Sequence, residues 1–381
     1  MESSGTTPRV GLDCSDLQGV LDPNGQFLTV YLTTEPGENA GQHTALRWKA
    51  LAHEAEGHKA APAALEAVTP LLRDAHKGGR CLCVVVDGEG EIRHRSHHPA
   101  PPRKDVARWG TLPSLAPMIE WRQTSPPHVV VLIDRVGADI AVFESLDSGD
   151  FHVEVAGDDE VIHKVVTGGW SQRRYQQRAE NTWEANAKEV AAELSRIVEK
   201  VHARVIVVAG DVRAVQLMRD ALPDSVKHVL HEVEGSRSPD GSVDAVASEA
   251  VTLVATAVAS DTAELLAKFR EELGQHDRAA NGPREVASAL EGGQVETLLI
   301  HDDPDDERTC WIGPEPFHLA LDAETLQNMG VETPLEVRLV DGFLRAAIGT
   351  SARVRVVPSA TILDGAVGAV LRWSSHGNGA G

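Results

Sequence analysis

The sequence is poor in cysteine and aromatic residues, and it lacks a long apolar run. Only 4 of its 381 residues are cysteines and 4% are aromatic, so the composition excludes a small secreted scaffold held together by disulfides. No run of about eighteen apolar residues occurs, and the polar residues 1–7 contain no apolar signal-peptide core. We therefore expect no membrane partner and a cytoplasmic location.

The few cysteines agree with a reducing compartment. Cys14 and Cys310 are isolated in the chain, whereas Cys81 and Cys83 alternate on one face of a predicted strand. We interpret all four as buried, reduced thiols.

Positive charge is scarce as well. Lysine and arginine number 36 against 57 aspartates and glutamates, which gives a formal net charge of −21. Composition alone argues against binding DNA or RNA, because lysines and arginines must displace counterions from phosphates. A local basic patch can still bind RNA if the acidic surface faces solvent or another protein. The acidic excess is densest at Asp302, Asp303, Asp305, Asp306 and Glu307.

Residues 164–180 form the most informative stretch. Gly168 and Gly169 permit a sharp turn, because glycine adopts positive φ without a steric penalty. Ser171 can then cap a helix that begins near Gln172. The first predicted helical turns are basic through Arg173, Arg174 and Arg178, with Glu180 opposing them.

Downstream of this turn, apolar residues recur every three or four positions, as on a long helix with one buried face. The predicted inward residues are Tyr175, Ala179, Trp183, Ala187, Val190, Leu194, Val198 and Val201.

The string from Gly168 to Tyr175, followed by a long helix, resembles the middle domain of the archaeal and eukaryotic class I release factors and Pelota. The resemblance implies an α/β fold of three consecutive domains in a tRNA-shaped arrangement, at residues 1–125, 126–260 and 261–381. A length of 381 residues also exceeds one typical core and predicts two or three domains.

One residue departs from the family pattern. Ser171, Arg174 and Tyr175 fall on family positions, but Trp170 stands where the family has the glutamine of its Gly-Gly-Gln loop. That glutamine helps to admit water to the peptidyl-tRNA ester, whereas an indole has one N–H donor and no acceptor. The variant resembles the bacterial Balon-type hibernation factors, which occupy the A site of idle ribosomes without releasing peptide.

The resemblance thus implies a ribosome-binding factor that is not an enzyme and needs no cofactor. Its expected contacts with rRNA near the peptidyl transferase centre are Thr167, Gly168, Gly169, Trp170, Ser171, Gln172, Arg173, Arg174 and Arg178. Trp170 would stack on a base, which contributes roughly 1–3 kcal/mol.

Two other functions stay open. The loop could hydrolyse peptidyl-tRNA in release or ribosome rescue if the backbone amides of Gly169 and Trp170 orient the water. A tRNA nuclease of the related Vms1 type is the third hypothesis, although no paired base and acid is visible in the sequence.

The first domain is predicted to contain a strand at 27–32, helices from about residue 45 and at 62–75, and a hairpin made of a strand at 81–86 and a second strand from Glu91. Leu46, Leu51 and Ala55 are the apolar residues of the first helix. After the hairpin turn we interpret residues 93–99 as a basic loop that runs on to Arg103 and Lys104.

This basic loop is a candidate for contact with the small ribosomal subunit. The residues concerned are Arg93, His94, Arg95, His97, His98 and Lys104. The family's stop-codon motifs, Asn-Ile-Lys-Ser and Tyr-x-Cys-x-x-x-Phe, are absent, so such a contact would not read a stop codon. A merely solvated loop is the alternative. Neighbouring histidines that point apart do not suit a metal site, and we expect none.

Residues 112–127 are interpreted as a proline-rich linker. The middle domain is then predicted to begin with a hairpin at 129–133 and 138–144 and to continue with alternating strands and helices. The later elements are a strand at 205–208, a helix at 214–222, a strand at 226–233 and a helix at 243–259.

The third domain is predicted to contain a helix at 283–290, a strand at 295–300, a helix at 323–329 and strands at 352–357 and 368–373. Gly292-Gly293-Gln294 spells the release-factor triplet, but it follows a helix and precedes a strand, so we interpret it as a helix cap. In the family this domain contacts a translational GTPase. The resemblance therefore implies elongation factor Tu as a second partner besides the ribosome and its rRNA, and no DNA partner.

Overall fold

The computed structural model describes residues 11–21, 25–34, 39–73, 75, 79–98, 100–134, 137–143, 151–156, 159–163, 183–237, 242–358 and 362–374. These residues form helices and four sheets, which confirms the α/β prediction. The chain divides into two compact units, one of Met1–Gln123 with Thr262–Gly381 and one of Thr124–Asp261.

The N-terminal part of the first unit is an antiparallel sheet covered by helices. Its strands, in the order β3-β2-β1-β4, are β1 (Phe27–Thr33), β2 (Cys81–Asp87), β3 (Ile92–His98) and β4 (Val106–Gly110). Its helices are α1 (Ala40–Gly57), α2 (Pro62–Val68) and α3 (Ala116–Thr124), with a 3₁₀ turn at Thr69–Leu72 after α2.

Strand β1 has both of its faces buried. Leu28 and Val30 share a core with Trp48 of α1, whereas Phe27 and Tyr31 belong to a second core on the other side of the sheet. Alternate residues of a strand point to opposite faces, so one strand serves two cores.

The helix predicted from about residue 45 is confirmed as α1, which begins earlier, at Ala40. Its buried residues include Thr44, Trp48 and Ala55, whereas Leu46 is 67% exposed. The predicted linker at 112–127 is wrong, because it contains α3 with Met118 and other residues buried. Its prolines concealed the helix, although a proline is tolerated in a first helical turn.

The middle unit contains a six-stranded sheet in the order β10-β9-β5-β6-β7-β8. The strands are β5 (His128–Ile133), β6 (Gly137–Phe143), β7 (Phe151–Ala156), β8 (Asp159–His163), β9 (Val205–Gly210) and β10 (Leu230–Glu232). The helices are α4 (Trp183–Val201), α5 (Val212–Ala221), α6 (Asp224–Lys227) and the first part of α7 (Ser242–Gln275). Helix α7 is longer than the predicted 243–259, and from Thr262 onward it belongs to the first unit.

This unit follows the sequence predictions closely. The β5–β6 hairpin is antiparallel, and β9 lies parallel to β5. The predicted strand at 226–233 is wrong in part, because α6 occupies its start and only Leu230–Glu232 pair with β9. At the end of β9, Gly210 has φ of +146°, and a Cβ there would lie 1.8 Å from the Ile133 carbonyl oxygen. Only glycine fits this close approach of two strands.

Helices cover both faces of the middle sheet. One core joins α4 and α5 to one face, and the other joins α7 to the opposite face through Val246, Ala250 and Val254. Among the described helices, α7 is long and apolar enough to cross a membrane by length and composition alone. It packs on the sheet through Val246, Ala250 and Val254, and 17% of its apolar window is buried.

The C-terminal part of the first unit contains two further sheets. Their strands, in the orders β11-β17-β12-β16 and β14-β13-β15, are β11 (Ala279–Asn281), β12 (Val295–Ile300), β13 (Thr309–Ile312), β14 (Leu319–Ala320), β15 (Leu335–Arg338), β16 (Arg353–Val356) and β17 (Val367–Leu371). The helices are α8 (Pro283–Glu291), α9 (Ala323–Asn328) and α10 (Leu339–Gly349). The elements predicted at 283–290, 295–300, 323–329, 352–357 and 368–373 are confirmed.

Helix α10 lies in the centre of this unit. Every residue from Leu339 to Ile348 is buried, and its apolar side chains share one core with residues of the N-terminal part such as Tyr31 and Met118. No element was predicted between residues 329 and 352, so α10 is an addition that the structure makes. The two ends of the chain therefore fold around a common core.

Candidate functional site

The nine residues predicted to contact rRNA, Thr167 to Arg174 and Arg178, lie outside the described residues. The structure does describe the elements on either side of them: β8 ends at His163 and α4 begins at Trp183. Their roles stay predictions.

Helix α4 fixes the C-terminal side of this segment to the middle sheet. Ala187, Val190, Leu194 and Val198 are at most 9% exposed and belong to one core with β5 and β6. The predicted inward face is therefore confirmed for the described part of the helix. Helix α4 is thus held on the middle sheet by this core.

The strand predicted from Glu91 is confirmed, but it continues to His98, so the basic stretch is part of a strand and not the loop predicted at 93–99. Residues Ile92–His98 form β3, which pairs with β2 in antiparallel register, with His98 opposite Cys81. Cross-strand hydrogen bonds stabilise this stretch although its composition is polar. Beyond a bulge at Arg93, the pleat divides the other candidate residues between two faces, with Arg95 and His97 on one and His94 and His98 on the other.

His98 and its neighbours on that face are packed rather than exposed. The imidazole of His98 is fully buried and stacks on Trp121 with ring centroids 4.0 Å apart. The Ser96 hydroxyl lies 2.9 Å from Nε2 of His98 and also 2.9 Å from Nε2 of His94. The His98 side chain thus has no surface to offer a partner while the strand is folded.

Part of the positive charge of β3 remains exposed to solvent. Arg93 is engaged locally, with its guanidinium 2.7 Å from the Asp87 carboxylate. Although burial acts in the opposite direction, the N–H of Glu91 and the guanidinium of Arg93 lower the pKa of Asp87. Burial, assisted by the nearby charge of Arg95, lowers the pKa of His97 and favours its neutral form. Arg95 is exposed, as is Arg93, and of the two Arg93 is engaged by the Asp87 carboxylate.

Lys104 is separated from β3 by the width of the sheet. It lies just before β4, and β2 and β1 stand between β3 and β4, a separation of about 14 Å across three strand spacings. Its ammonium group is 2.5 Å from the Asp305 carboxylate. The six candidate residues of the first domain therefore do not form one patch.

The acidic residues near position 305 form a structured loop between β12 and β13. The Arg338 side chain is 8% exposed and donates hydrogen bonds to the carboxylate of Asp302 and to the carbonyl oxygens of Asp303 and Asp306. The run of acids is visible in the sequence but its partners are not, because Arg338 is 36 positions from Asp302 and Lys104 is 201 positions from Asp305.

Gly292-Gly293-Gln294 is the helix cap that we predicted. Gly292 follows the last residue of α8, Gly293 has φ of +64°, and the N–H of Gln294 donates to the carbonyl oxygen of Ala289. Because a left-handed residue after a helix favours glycine, the second glycine pair has a purely structural explanation.

The cysteines are buried and free, as predicted. Burial raises the pKa of the Cys14 and Cys310 thiols to about 12, so both are protonated at neutral pH and poorly reactive. Within the described parts of the chain, no three His, Cys, Asp or Glu side chains are grouped as a metal site would require.

Comparison with known proteins gives matches over the middle unit and over the whole chain. The model of bacterial archaeo-eukaryotic release factor family 2 matches residues 127–275. The uncharacterized protein Rv2629 of Mycobacterium tuberculosis is 25% identical over 373 residues, which cover 94% of this chain and 96% of that protein. The protein pelota homolog of Natronomonas pharaonis is 26% identical over 171 residues, or 43% and 46% of the two chains.

Two solved structures are similar at lower identity. One is a model of ribosome-bound archaeal Pelota and ABCE1, with 16% identity, 96% of each chain covered and a TM-score of 0.40. The other is Dom34 of Saccharomyces cerevisiae, a translation termination-like factor, with 12% identity, 66% and 65% of the chains covered and a TM-score of 0.37.

Proposed function

Because the chain is a bacterial archaeo-eukaryotic release factor-like protein, we propose that it binds the A site of idle ribosomes and holds them inactive. The observation that carries the proposal is the family match to residues 127–275, which include Gly168, Gly169 and Trp170. The chain retains the two glycines of the release-factor loop and replaces the glutamine.

This replacement favours binding without hydrolysis. The Trp170 indole has a flat aromatic face for an rRNA base but no acceptor with which to position a water molecule. Arg173, Arg174 and Arg178 can neutralise the phosphates around the loop. The proposed factor is therefore not an enzyme, and its loop blocks the peptidyl transferase centre by occupying it.

The first unit supplies the remaining proposed contacts. Arg95 and Lys104 are exposed cations for the small subunit, and the absence of stop-codon motifs fits a ribosome that is not terminating. The resemblance of the third domain to release factors supports elongation factor Tu as a second partner. A ribosomal partner of this kind implies a cytoplasmic protein.

Sedimentation with vacant ribosomes tests the proposal. We expect the purified protein to sediment with ribosomes at low salt, to be displaced by A-site tRNA, and to dissociate as salt rises. Elongation factor Tu is added in a parallel series. Failure to sediment in every condition would contradict the proposal.

Variants of the Gly168 to Arg178 loop test whether the predicted residues contribute to ribosome binding. Trp170→Ala should weaken binding roughly fivefold or more through lost stacking. Arg173→Ala should weaken it and also reduce the salt slope by about 0.7–0.9. If both variants bind like the wild type, the loop is not the contact. Release of peptide from peptidyl-tRNA that disappears in Gly169→Ala would instead establish the hydrolase alternative.

A further inference from the structure

On its inner side, the acidic loop between β12 and β13 is fixed by contacts with Arg338, and these contacts do not involve the exposed side chains of the loop. Arg338 is 8% exposed and lies 2.6 Å from the carboxylate of Asp302, and it also binds two main-chain carbonyl groups of the loop. Such buried, multiply bonded contacts fix the path of the backbone. Changes in the exposed side chains of the loop should therefore leave its position unchanged.

The outer side of the loop covers a basic segment formed by Arg103, Lys104 and Arg108. Arg103 donates to the carbonyl oxygen of Asp302, and Arg108 donates to that of Pro304. Carbonyl oxygens satisfy these hydrogen bonds without cancelling the positive charge. Arg103 also pairs with Glu120.

Asp305 is the carboxylate of this loop that meets the basic segment. Its Oδ1 atom lies 2.5 Å from Nζ of Lys104, and the two side chains are 74% and 58% exposed. Hydrogen bonding and charge raise the pKa of Lys104 and lower that of Asp305, so both groups are charged at neutral pH. An exposed ion pair of this type contributes little to stability and is readily exchanged.

We propose that Arg103, Lys104 and Arg108 form a phosphate-binding surface for RNA, which Asp305 occupies and weakens in the free protein. A phosphate oxygen takes the place of the Asp305 carboxylate at the Lys104 ammonium, which binds either anion as a compact point charge. Arg108, which donates a hydrogen bond to the carbonyl oxygen of Pro304, adds an attraction that the exchange does not remove. The inference rests on the proposed ribosomal function and names a contact surface and its internal competitor.

The acidic loop also explains how a protein with a net charge of −21 can bind RNA selectively. Asp303, Asp305 and Glu307 are exposed beside the basic segment, so they repel a phosphate backbone unless several contacts form together. An isolated RNA contact is therefore disfavoured by electrostatic repulsion. On a ribosome, the other contacts of the protein compensate for this repulsion.

Ribosome sedimentation of charge variants tests the inference. Asp305→Asn should bind ribosomes roughly twofold to fivefold more tightly than the wild type at equal salt. Lys104→Ala should bind more weakly by a similar factor. In the double variant most of the gain from Asp305→Asn should vanish, because the ammonium group that the substitution liberates is missing.

Asp220→Asn on α5 is the matched control, since it removes one exposed carboxylate and changes the net charge equally. An equal gain in the control would show a general charge effect and overturn the inference. Unchanged binding of Asp305→Asn, with normal wild-type binding, would overturn the inference and leave the proposed function standing. If the wild type does not bind ribosomes at all, both fail.

Discussion

The two units build their cores in different ways. In the middle unit one continuous stretch of chain supplies the sheet and the helices on both of its faces. In the other unit, residues from both ends of the chain surround α10 in a single core. A continuous core can be inferred from local patterns, whereas a core built from both ends depends on contacts between distant segments.

The largest expected effect comes from breaking the shared core. Phe343 of α10 is fully buried, so Phe343→Ala should cost about 3–5 kcal/mol of unfolding free energy. Because both chain ends pack around α10, amide hydrogens in β1 and in β12 should lose protection together. Hydrogen exchange with mass spectrometry measures this loss.

Leu194→Ala is the matched change in the middle unit, where Leu194 of α4 is also fully buried. It should cost about 2–5 kcal/mol and should expose β5 and β9 to exchange while β1 stays protected. Protection of β1 that survives Phe343→Ala would show that the N-terminal part has an independent core.

A smaller effect comes from the buried Asp341 of α10. Burial raises the pKa of this carboxyl to about 7, with Arg338, Asp302, Arg108 and Ser114 as its charged and polar neighbours. An unfolded aspartate titrates near ~4, so the unfolded chain loses this proton first as pH rises. The contribution of the protonated Asp341 to the free energy of unfolding is therefore fully present below about pH 4, and it is lost as the pH rises towards 7.

Asp341→Asn should remove this part of the pH dependence. Thermal unfolding of the two proteins between pH 4 and pH 8 should give midpoints that converge at low pH, with the wild type losing relative stability as pH rises. Parallel curves over the whole range would show that Asp341 stays charged in the folded protein. No comparable buried carboxylate was identified among the described parts of the middle unit.

The smallest effect concerns a local feature of the middle unit. Asp211 caps α5, and its carboxylate accepts hydrogen bonds from the N–H groups of Arg213 and Ala214. Asp211→Ala should cost about 1 kcal/mol, while Asp211→Ser should retain most of the stability. Chemical denaturation monitored by circular dichroism measures both. An equal loss in the two variants would show that another contact of Asp211 matters more than the cap.

The predictions from sequence succeeded where the signal was local. The inward residues of α4, the β5–β6 hairpin and the cap at Gly292 and Gly293 each follow from a period of a few residues or from the backbone preference of glycine. The proposed contact loop also rests on a local string, Gly168 to Tyr175, and it stays a prediction because its residues lie outside the described ranges.

The failures share one physical cause, which is stabilisation by distant parts of the chain. A strand was predicted from Glu91, and residues 93–98 were interpreted as a basic loop, yet pairing with β2 and the stacking of His98 on Trp121 extend the strand to His98.

The sequence by itself determined the α/β class, the elements with clear periodicity, the buried cysteines and the departure at Trp170 from the release-factor loop. Only the tertiary structure decided that both chain ends enclose α10, that β3 and Lys104 lie at opposite edges of one sheet, and that Asp305 neutralises Lys104. Local propensity is encoded within a few neighbouring residues, whereas burial and ion pairing depend on which distant segments meet when the chain folds.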